Sequence, residues 1–349
     1  IQVSANDGQN WTRYNTFPGV PMNTRVNMLT ASVHQENVVY ACFNAQRQGD
    51  FKPYVLKSAD QGKTWVNIAG NLPLRGTVYC IKQDPVVENL LFVGTEFGAY
   101  FTTDGGLNWT KLSGLPTIAV YDLDIQEREV DLVAATFGRG FYVLDNYSPL
   151  RTLNKENLSK KAHLFPVKDA LLYIEADPLG LEGTGFQGHN MWSSKNPAFG
   201  ATFTLHLREV PSSLKSERQN KEKELEKDKK DVAYPSFDAL KAEALDEAAQ
   251  LIWIISDANG NEIRRMSSSP QKGIVRQQWN LRKASTNPVG NGGRGPLVVP
   301  GNYFVKVFML HNGQLQELVA NTPFVVKGLN NQTLIAKDIF GLDEFRRAV

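Results

Sequence analysis

The chain has 349 residues, of which 42% are apolar, a content sufficient to build buried cores in more than one domain. Its 38 basic and 36 acidic residues leave a formal net charge of +2, which argues against the large single-sign field that binds nucleic acid or an anionic membrane. Its apolar runs are strand-sized, well short of the roughly 18 residues that a membrane span needs.

The chain begins at Ile1, without an initiator methionine or a signal-like segment, inside what is predicted to be a strand. We therefore expect it to be the C-terminal part of a longer protein. Cys42 and Cys80 lie in apolar strand-like runs and belong to no C-x-x-C or Cys/His motif. They are predicted to be buried free thiols, with a disulfide as the alternative, and neither a metal nor a cofactor is predicted.

An octet of pattern S/T-x-D/N-x-G-x-T/N-W occurs three times, as SANDGQNW at 4–11, SADQGKTW at 58–65 and TTDGGLNW at 102–109. In such a turn the short polar side chains accept backbone N–H bonds, glycine adopts a backbone angle that other residues resist, and tryptophan fills the space between strands. Folding alone explains these residues. They are Ser4, Asn6, Gly8 and Trp11; Ser58, Asp60, Gly62, Thr64 and Trp65; and Thr102, Asp104, Gly106 and Trp109.

The octets belong to a longer repeat. Segments 26–44, 78–96 and 120–137 each contain an alternating strand, a polar turn and a more apolar strand, and third strands follow at 54–60, 99–104 and 141–145. Four short antiparallel strands in about 40–45 residues have the size of one propeller blade. Residues 1–150 are therefore predicted to hold one partial blade, two complete blades and one blade that lacks its last strand.

The octet resembles the Asp box, or BNR repeat, of sialidases, of sortilin and Vps10 propellers and of xyloglucan-hydrolysing two-propeller enzymes. A closer similarity is to large secreted bacterial BNR-repeat proteins of the glycosyl hydrolase or sortilin-like kind. The segments that carry it are PYVLKSADQGKTW, NLLFVGTEFGAYFTTDGGLNW and LVAATFGRGFYVLDNYSPLR. The resemblance implies a propeller in a secreted or cell-envelope protein, with Asp boxes on the outer rim, away from the central ligand cavity. Phe137 stands where these proteins usually have the histidine of T-H-G-R-G, so no role of that histidine transfers.

The second half has a different pattern. Residues 151–162 are predicted to be a linker, and strand-like runs at 164–175, 201–210, 251–266, 273–282 and 301–310 predict an immunoglobulin-like sandwich over 163–330, followed by a C-terminal tail at 331–349. The same bacterial proteins carry such a domain after their propeller. The segments that carry this resemblance are SKNPAFGATFTLHL, ISDANGNEIRRM, VRQQWNL and VVPGNYFVKV. Asn280 replaces the aspartate of the commoner WDLR motif.

The segment at about 211–250 predicts a helical hairpin inserted into the sandwich. Its first part is nearly all charged, with Glu217 and Lys221 at the i,i+4 spacing of a helix. A second helix is predicted to begin at the N-cap Ser236, with an apolar face formed by Phe237, Leu240, Ala244 and Ala248. The hairpin is either a docking arm or, the interpretation we favour, a solvated spacer whose second helix packs on the sandwich.

The sequence contains candidate catalytic carboxylates, but none of them is assigned a catalytic role. A glycosidase needs two carboxylates flanking the scissile bond, and the candidates, each with a structural interpretation as well, are Glu96, Asp122, Asp124 and Asp145. Arg139, between two glycines, could hold a carboxylate or a sugar, or tie down a blade edge. Tyr100 and Tyr142 could stack on sugar rings, although strand aromatics are usually core residues. GTGFQG at 183–188 lacks the βα context of a dinucleotide site.

The overall prediction is a mainly β protein, a partial propeller followed by an immunoglobulin-like sandwich with an inserted helical hairpin. The favoured function is a binding or scaffold module that engages protein, peptide or glycan through the propeller face. The alternative is part of a sialidase- or xyloglucanase-like glycoside hydrolase whose carboxylates lie partly or wholly in missing blades, so enzymatic activity stays open. Because a three-blade arc leaves open sheet edges, the remaining blades are expected from upstream sequence or a second polypeptide. Neither nucleic acid nor a membrane span is expected.

Overall fold

A computed structural model describes residues 1–175, 194–285, 295–329 and 337–348. The chain divides into two compact units, Ile1–Asn154 and Lys155–Val349. Both units are mainly β and consist of small sheets, with few helices. No helix among the described residues is long and apolar enough to cross a membrane. The glycine motif at 183–188 lies outside the described residues.

Within residues 1–154, all of which are described, four antiparallel sheets follow one another in chain order. The first pairs β1 (Gln2–Val3) with β2 (Thr12–Arg13). The second contains β3 (Arg25–Ala31), β4 (Val39–Asn44), β5 (Tyr54–Ser58) and β6 (Val66–Asn67), and the third contains β7 (Val78–Gln83), β8 (Leu91–Thr95), β9 (Gly98–Thr102) and β10 (Thr110–Lys111). The fourth contains β11 (Val120–Gln126), β12 (Asp131–Thr136) and β13 (Phe141–Leu144). Short 3₁₀ helices occur at Gln46–Gln48 and Ser148–Thr152.

The third sheet buries both of its faces. Leu91, Val93 and Tyr100 belong to a core shared with the second sheet, whereas Phe92 and Phe101 belong to a core shared with the fourth. Because neighbouring strand residues point to opposite faces, a sheet covered on both sides needs apolar residues at nearly every position. This explains why the repeat has such apolar second strands.

The cysteines lie on these two faces. Cys42 is in the core between the second and third sheets, and Cys80 is in the core between the third and fourth. Both are free and buried, and burial raises the pKa of each thiol above its ordinary range. The prediction of buried free thiols is therefore confirmed.

The octet at 58–65 forms a turn that is held by its own side chains. Ser58 Oγ accepts a hydrogen bond from Gly62 N at 2.8 Å, and Asp60 Oδ1 accepts one from Thr64 N at 2.8 Å. Hydrogen bonds from Thr64, more than any other contact, lower the pKa of Asp60 to about 2. Trp65 Nε1 donates to Gly62 O at 2.9 Å, and its ring is buried. The polar and aromatic positions of the octet thus shape the turn, as the sequence predicts.

The octet at 102–109 also joins two sheets. Trp109 Nε1 donates to Ile68 O, just after β6 of the preceding sheet, at 2.9 Å. Gly106 has φ 104°, and a Cβ atom there would lie 2.7 Å from the same carbonyl oxygen. Trp11 of the first octet, by contrast, is 61% exposed, so its predicted role as a plug between strands is not seen.

The segment after β13 is fastened to the third sheet by a buried carboxylate. Asp84, which follows β7, is fully buried and accepts hydrogen bonds through Oδ2 from the Tyr147 hydroxyl at 2.7 Å and from Arg151 Nε at 2.9 Å. Its Oδ1 accepts from the backbone N–H groups of Val86 and Val87. A buried charge is tolerated when it is paired and fully hydrogen-bonded, as it is here.

In the second unit, two sheets enclose one core. The three-stranded sheet has the order β14 (Ala162–Leu164), β16 (Ala201–Leu207) and β19 (Gly273–Trp279). The five-stranded sheet has the order β15 (Ala170–Leu172), β21 (Gln314–Gly328), β20 (Gly301–His311), β17 (Gln250–Asp257) and β18 (Glu262–Ser268). Phe203 and Trp279 from the first sheet meet Trp253 and Phe324 from the second. These aromatic side chains fill the space between the sheets.

The described helices of this unit are α1 (Lys155–Ser159), α2 (Leu214–Lys227), α3 (Phe237–Leu245) and α4 (Ile339–Ala348). α1 lies within the predicted linker, and α4 lies within the predicted tail. α2 and α3 come between β16 and β17, and Ser213 and Ser236 are their N-caps. Arg218 of α2 donates to Glu243 of α3 at 2.6 Å, which joins the two helices.

α3 does not pack on the sandwich, contrary to the favoured interpretation. None of its residues is buried, and Phe237 is 78% exposed. The helix ends at Leu245, so Ala248 does not extend its apolar face. The remaining apolar face is short, and the ion pair of Arg218 with Glu243 holds α3 to α2 instead.

Replacing Gly106 by alanine tests the contact between the octet turn at 102–109 and the preceding sheet. We expect Gly106→Ala to lower the free energy of unfolding by about 2 kcal/mol or more, because it combines a strained positive φ with a clash against Ile68 O. Gly114→Ala is the matched control, since Gly114 has φ 90° and open space around it. Urea denaturation measures both, and equal losses would contradict an effect of the contact.

Two facing histidines of the second unit indicate that the stability of this unit falls in acid. His163 and His206 lie opposite each other on β14 and β16, and burial lowers the pKa of both, with Lys160 lowering that of His163 further. A histidine titrates near 6.5 when unfolded. The stability that the neutral rings contribute is therefore complete above that pH and is lost as the pH falls through the lowered values.

We expect the Tm of this unit to fall between pH 7.5 and pH 5, and the double variant His163→Gln, His206→Gln to show a flatter profile. His311→Gln is the control, because His311 lies at the end of β20, outside this pair. Calorimetry over this pH range measures the profiles. A wild-type slope that survives in the double variant would refute this explanation.

Candidate functional site

The first strands of three sheets share an irregularity at one repeat position. The register shifts between Val26 and Met28 on β3, between Val78 and Cys80 on β7, and between Val120 and Asp122 on β11. The inserted residues are Asn27, Tyr79 and Tyr121. A β-bulge re-aims the side chain of the inserted residue. The repeat therefore directs one side chain from each sheet toward a common place.

That place is a cleft of about 620 Å³. The three bulge residues line it, together with neighbouring amide and guanidinium side chains. The other lining residues are Asn23, Arg25, Asn44, Ala45, Gln46, Arg47 and Gln48. The cleft is thus rich in groups that donate and accept hydrogen bonds in fixed planes.

Aromatic rings form a continuous row beside the cleft. The ring centroids of Tyr79 and Tyr121 are 4.4 Å apart, and those of Tyr121 and Phe137 are 5.5 Å apart, both edge to face. Tyr79 is buried, but Tyr121 is 45% exposed and Phe137 is 66% exposed. We call these residues the aromatic row; it presents apolar ring surface to solvent from a rigid support.

Glu96 is held at this row by two donors. The Tyr79 hydroxyl donates to Glu96 Oε2, and Gln46 Nε2 donates to the same oxygen at 2.9 Å. Gln46 is positioned by the 3₁₀ helix Gln46–Gln48, whose first N–H donates to Asn44 Oδ1. Burial, and then the contact with Glu96, raises the pKa of Tyr79 above its usual range, so the phenol stays a hydrogen-bond donor.

Asn44, Glu96 and Phe137 occupy one repeat position. Each follows the residue of the second strand that pairs with Val26, Val78 or Val120. The repeat thus places an amide, a carboxylate and a ring at equivalent points of three sheets. Of these three residues, Asn44 lines the cleft, whereas Glu96 and Phe137 contact the lining residues Gln46 and Tyr121.

The other carboxylates predicted as candidates lie in different settings. Asp124 forms an ion pair with Lys82 at 2.7 Å, and this contact lowers the pKa of Asp124. Asp122 is exposed on β11, and its Oδ1 accepts from Leu123 N. Asp145 is half-buried and directly follows β13. Glu96 is the member of the candidate set that hydrogen-bonds to residues lining the cleft.

Arg139 lies on the turn between β12 and β13 and is exposed. The flanking glycines, Gly138 and Gly140, have φ 75° and 70°, in the left-handed region that glycine adopts most readily. Tyr100 is buried between the second and third sheets, and burial raises its pKa. Tyr142 is half-buried against the core between the third and fourth sheets. Burial disfavours a ligand contact for Tyr100.

Sequence reasoning missed Asn27, Tyr79, Tyr121 and Gln46. VNM at 26–28, VYC at 78–80 and VYD at 120–122 stand at equivalent points of the repeat, where the structure has its bulges. The recurrence of an amide or aromatic residue after a valine at these points was the sequence signal that could have found Asn27, Tyr79 and Tyr121. Among the described residues, no group of three or more His, Cys, Asp or Glu side chains is arranged to hold a metal.

Comparison with known proteins finds likeness over part of the chain. No family model matches. A stretch of 68 residues is 37% identical to the "Probable oligoxyloglucan-reducing end-specific xyloglucanase" of Neosartorya fischeri, and covers 18% of this chain and 8% of that protein. A stretch of 75 residues is 29% identical to a xyloglucanase of Hypocrea jecorina, and covers 19% and 9%. The matched part of the chain is therefore similar to xyloglucanases but spans under a tenth of their length.

Among solved structures, an ancestral GH74 enzyme is 26% identical over 33% of this chain and 14% of its own, with a TM-score of 0.28. A TM-score of this size carries no argument about fold or function. The local sequence likeness to xyloglucanases is compatible with a glycoside hydrolase and leaves the activity of this chain open.

Proposed function

We propose that the first unit is an arc of a β-propeller that binds a glycan in the cleft beside the aromatic row, as a module of a secreted or cell-envelope protein. The observation that carries the proposal is the joint placement of exposed rings and a fixed Gln46–Glu96 pair. The succession of small antiparallel sheets with octet turns supports the propeller, and with it the relation to BNR, Asp-box and sortilin/Vps10 propellers.

The chemistry of the cleft fits a sugar. A pyranose ring has apolar C–H faces and a rim of hydroxyl groups, and binding sites combine apolar surface with a few placed polar groups. Tyr121 and Phe137 offer the apolar surface. Asn27, Asn44 and Gln46 offer amide donors and acceptors, and Arg25 and Arg47 add guanidinium donors.

A glycoside hydrolase is the second candidate, and the local similarity to xyloglucanases favours it. Hydrolysis requires two carboxylates about 5–5.5 Å apart in retaining enzymes or about 6.5–9.5 Å apart in inverting ones. The described lining of this cleft includes no Asp or Glu side chain, and Glu96 lies behind Tyr79 and Gln46. A catalytic pair would therefore need a carboxylate from further blades, so binding ranks first.

The fourth sheet supports the proposal of further blades. Its inner side chains, such as Leu132 and Ala134, pack against the third sheet. Its other face exposes Phe141 to 72% and Val143 to 52%. Both follow the repeat at positions that are buried between sheets in β9, at Ala99 and Phe101. We propose that another sheet of the same repeat, from upstream sequence or a second polypeptide, covers this face.

For the second unit we propose an immunoglobulin-like sandwich with α2 and α3 as an inserted helical pair. Two sheets around one aromatic core support it, and so does the position of both helices between consecutive strands. This unit would act as a spacer next to the propeller or would dock the propeller onto another part of the protein.

Glycan binding is tested by calorimetric titration of the chain with a xyloglucan heptasaccharide. We expect Tyr121→Ala and Glu96→Gln each to weaken binding at least ten-fold. The first removes a ring surface, and the second removes the carboxylate that accepts from Tyr79 and Gln46 and holds these lining residues in place. Tyr234→Ala is the control, since Tyr234 is an exposed tyrosine of the second unit. If no oligosaccharide binds, or if both cleft variants bind as wild type does, the proposal is wrong. Release of reducing ends that Glu96→Gln abolishes would place the hydrolase first.

The sheet-covering partner is tested by native mass spectrometry of the untagged protein from its natural source. We expect a species heavier than the 38.9 kDa chain, which is one longer polypeptide if the sheet comes from upstream sequence and an assembly if it comes from a second polypeptide. In an assembly, Phe141→Glu, Val143→Glu should release the partner. Val66→Glu is the control, because Val66 is exposed on β6, in a sheet that already has both neighbours. A lone 38.9 kDa species would refute the proposal.

A further inference from the structure

A second cavity lies in the second unit, remote in sequence from the cleft. Its volume is about 440 Å³, and its walls come from β18, β19 and the segments next to β16 and β19. Arg264 and Met266 lie on β18, and Gln278 lies on β19. The cavity is also lined by Phe199, Arg282 and Glu175.

Arg264 has an unsatisfied donor in this cavity wall. Its Nε atom is buried and has no hydrogen-bond partner among the described residues. Its Nη1 makes a single long contact, 3.4 Å to Lys283 O. A buried N–H group of a cation that lacks an acceptor costs free energy comparable to a lost charged hydrogen bond. The Arg264 side chain lines the cavity, so a carboxylate bound there would pair with a cation that has few protein partners.

Arg282 supplies a second guanidinium. Its Nη1 donates to Gly295 O at 2.9 Å, which fixes the side chain against the wall. Gln278 is likewise fixed, since its Nε2 donates to Ala198 O. Glu175 is the carboxylate of the wall, so Arg264, Arg282 and Glu175 together carry a net charge of +1. A bound monoanion would neutralise that charge. Guanidinium forks bind planar carboxylates through paired hydrogen bonds.

The rest of the wall is apolar. Phe199 packs edge to face with Tyr173 at 4.9 Å between ring centroids, so the ring is held in place. Met266 adds a flexible apolar surface. A ligand that carries an anionic group alone would leave this surface unused, whereas a small organic acid would cover it.

We propose that this cavity binds a small organic monocarboxylate, with its carboxylate on Arg264 and Arg282 and its body against Phe199 and Met266. The site belongs to the second unit alone, and it does not depend on glycan binding by the first.

Benzoate is the probe, because it joins one carboxylate to one ring. We expect saturable binding at a 1:1 ratio in calorimetric titration, at least ten-fold weaker binding of inorganic phosphate, and none of benzamide, which keeps the ring without the charge. Arg264→Gln and Arg282→Gln should each weaken benzoate binding at least ten-fold, and Phe199→Leu at least three-fold. Arg265→Gln is the matched control, since Arg265 is the next residue on β18 and pairs with Glu262.

A second measurement keeps the test decisive if Arg264→Gln does not fold. In the wild-type protein, the Arg264 Nε–H resonance should shift on addition of benzoate, because the guanidinium gains a carboxylate partner, and the Arg265 resonance should stay in place. No binding of benzoate, or equal binding by Arg264→Gln and Arg265→Gln, would overturn the proposal and leave solvent water as the occupant. Equal affinity for phosphate and benzoate would overturn the part of the proposal that concerns the apolar wall.

Discussion

The interior sheets of the first unit have to bury both of their faces, and the rest of this unit follows from that constraint. Leu91, Val93 and Tyr100 serve one interface of the third sheet, and Phe92 and Phe101 serve the other. Removing apolar surface from water is the main favourable term in folding, so each sheet depends on its neighbours. The octet turns contribute between the last two strands of a sheet, as where Trp109 hydrogen-bonds to the preceding sheet. Where a neighbour is lacking, as at Phe141, apolar surface stays exposed.

The same packing determines where chemistry is available. Sheets that are buried on both faces leave strand ends and irregularities as the places for functional side chains. The repeated bulge supplies such a place, because it turns Asn27, Tyr79 and Tyr121 out of the ladder and toward one cleft. The position that follows the second strand varies as Asn44, Glu96 and Phe137. A constant backbone with variable residues at two positions is sufficient to create a site of mixed polarity.

The second unit buries its apolar side chains differently, in one aromatic core between two sheets. The edge strands β18 and β19 border the second cavity. Most buried polar groups in native structures have partners. Arg264 Nε does not, and an unmet donor at the wall of a cavity is a stronger indication of a ligand than the cavity by itself.

The sequence by itself determined the mainly β fold and the order of strands in the first unit. Local rules decide these features: strand alternation, apolar strand content, and turn chemistry at Asp60, Gly62 and Trp65. It also placed Cys42 and Cys80 in the core and Ser236 at a helix N-terminus. Tertiary structure alone decided that Tyr100 is buried while Tyr121 is exposed, although both are strand tyrosines. It also decided that Gln46 reaches Glu96, 50 residues away. A contact between distant segments depends on how sheets pack and where a strand bulges, and no single stretch of sequence encodes that geometry.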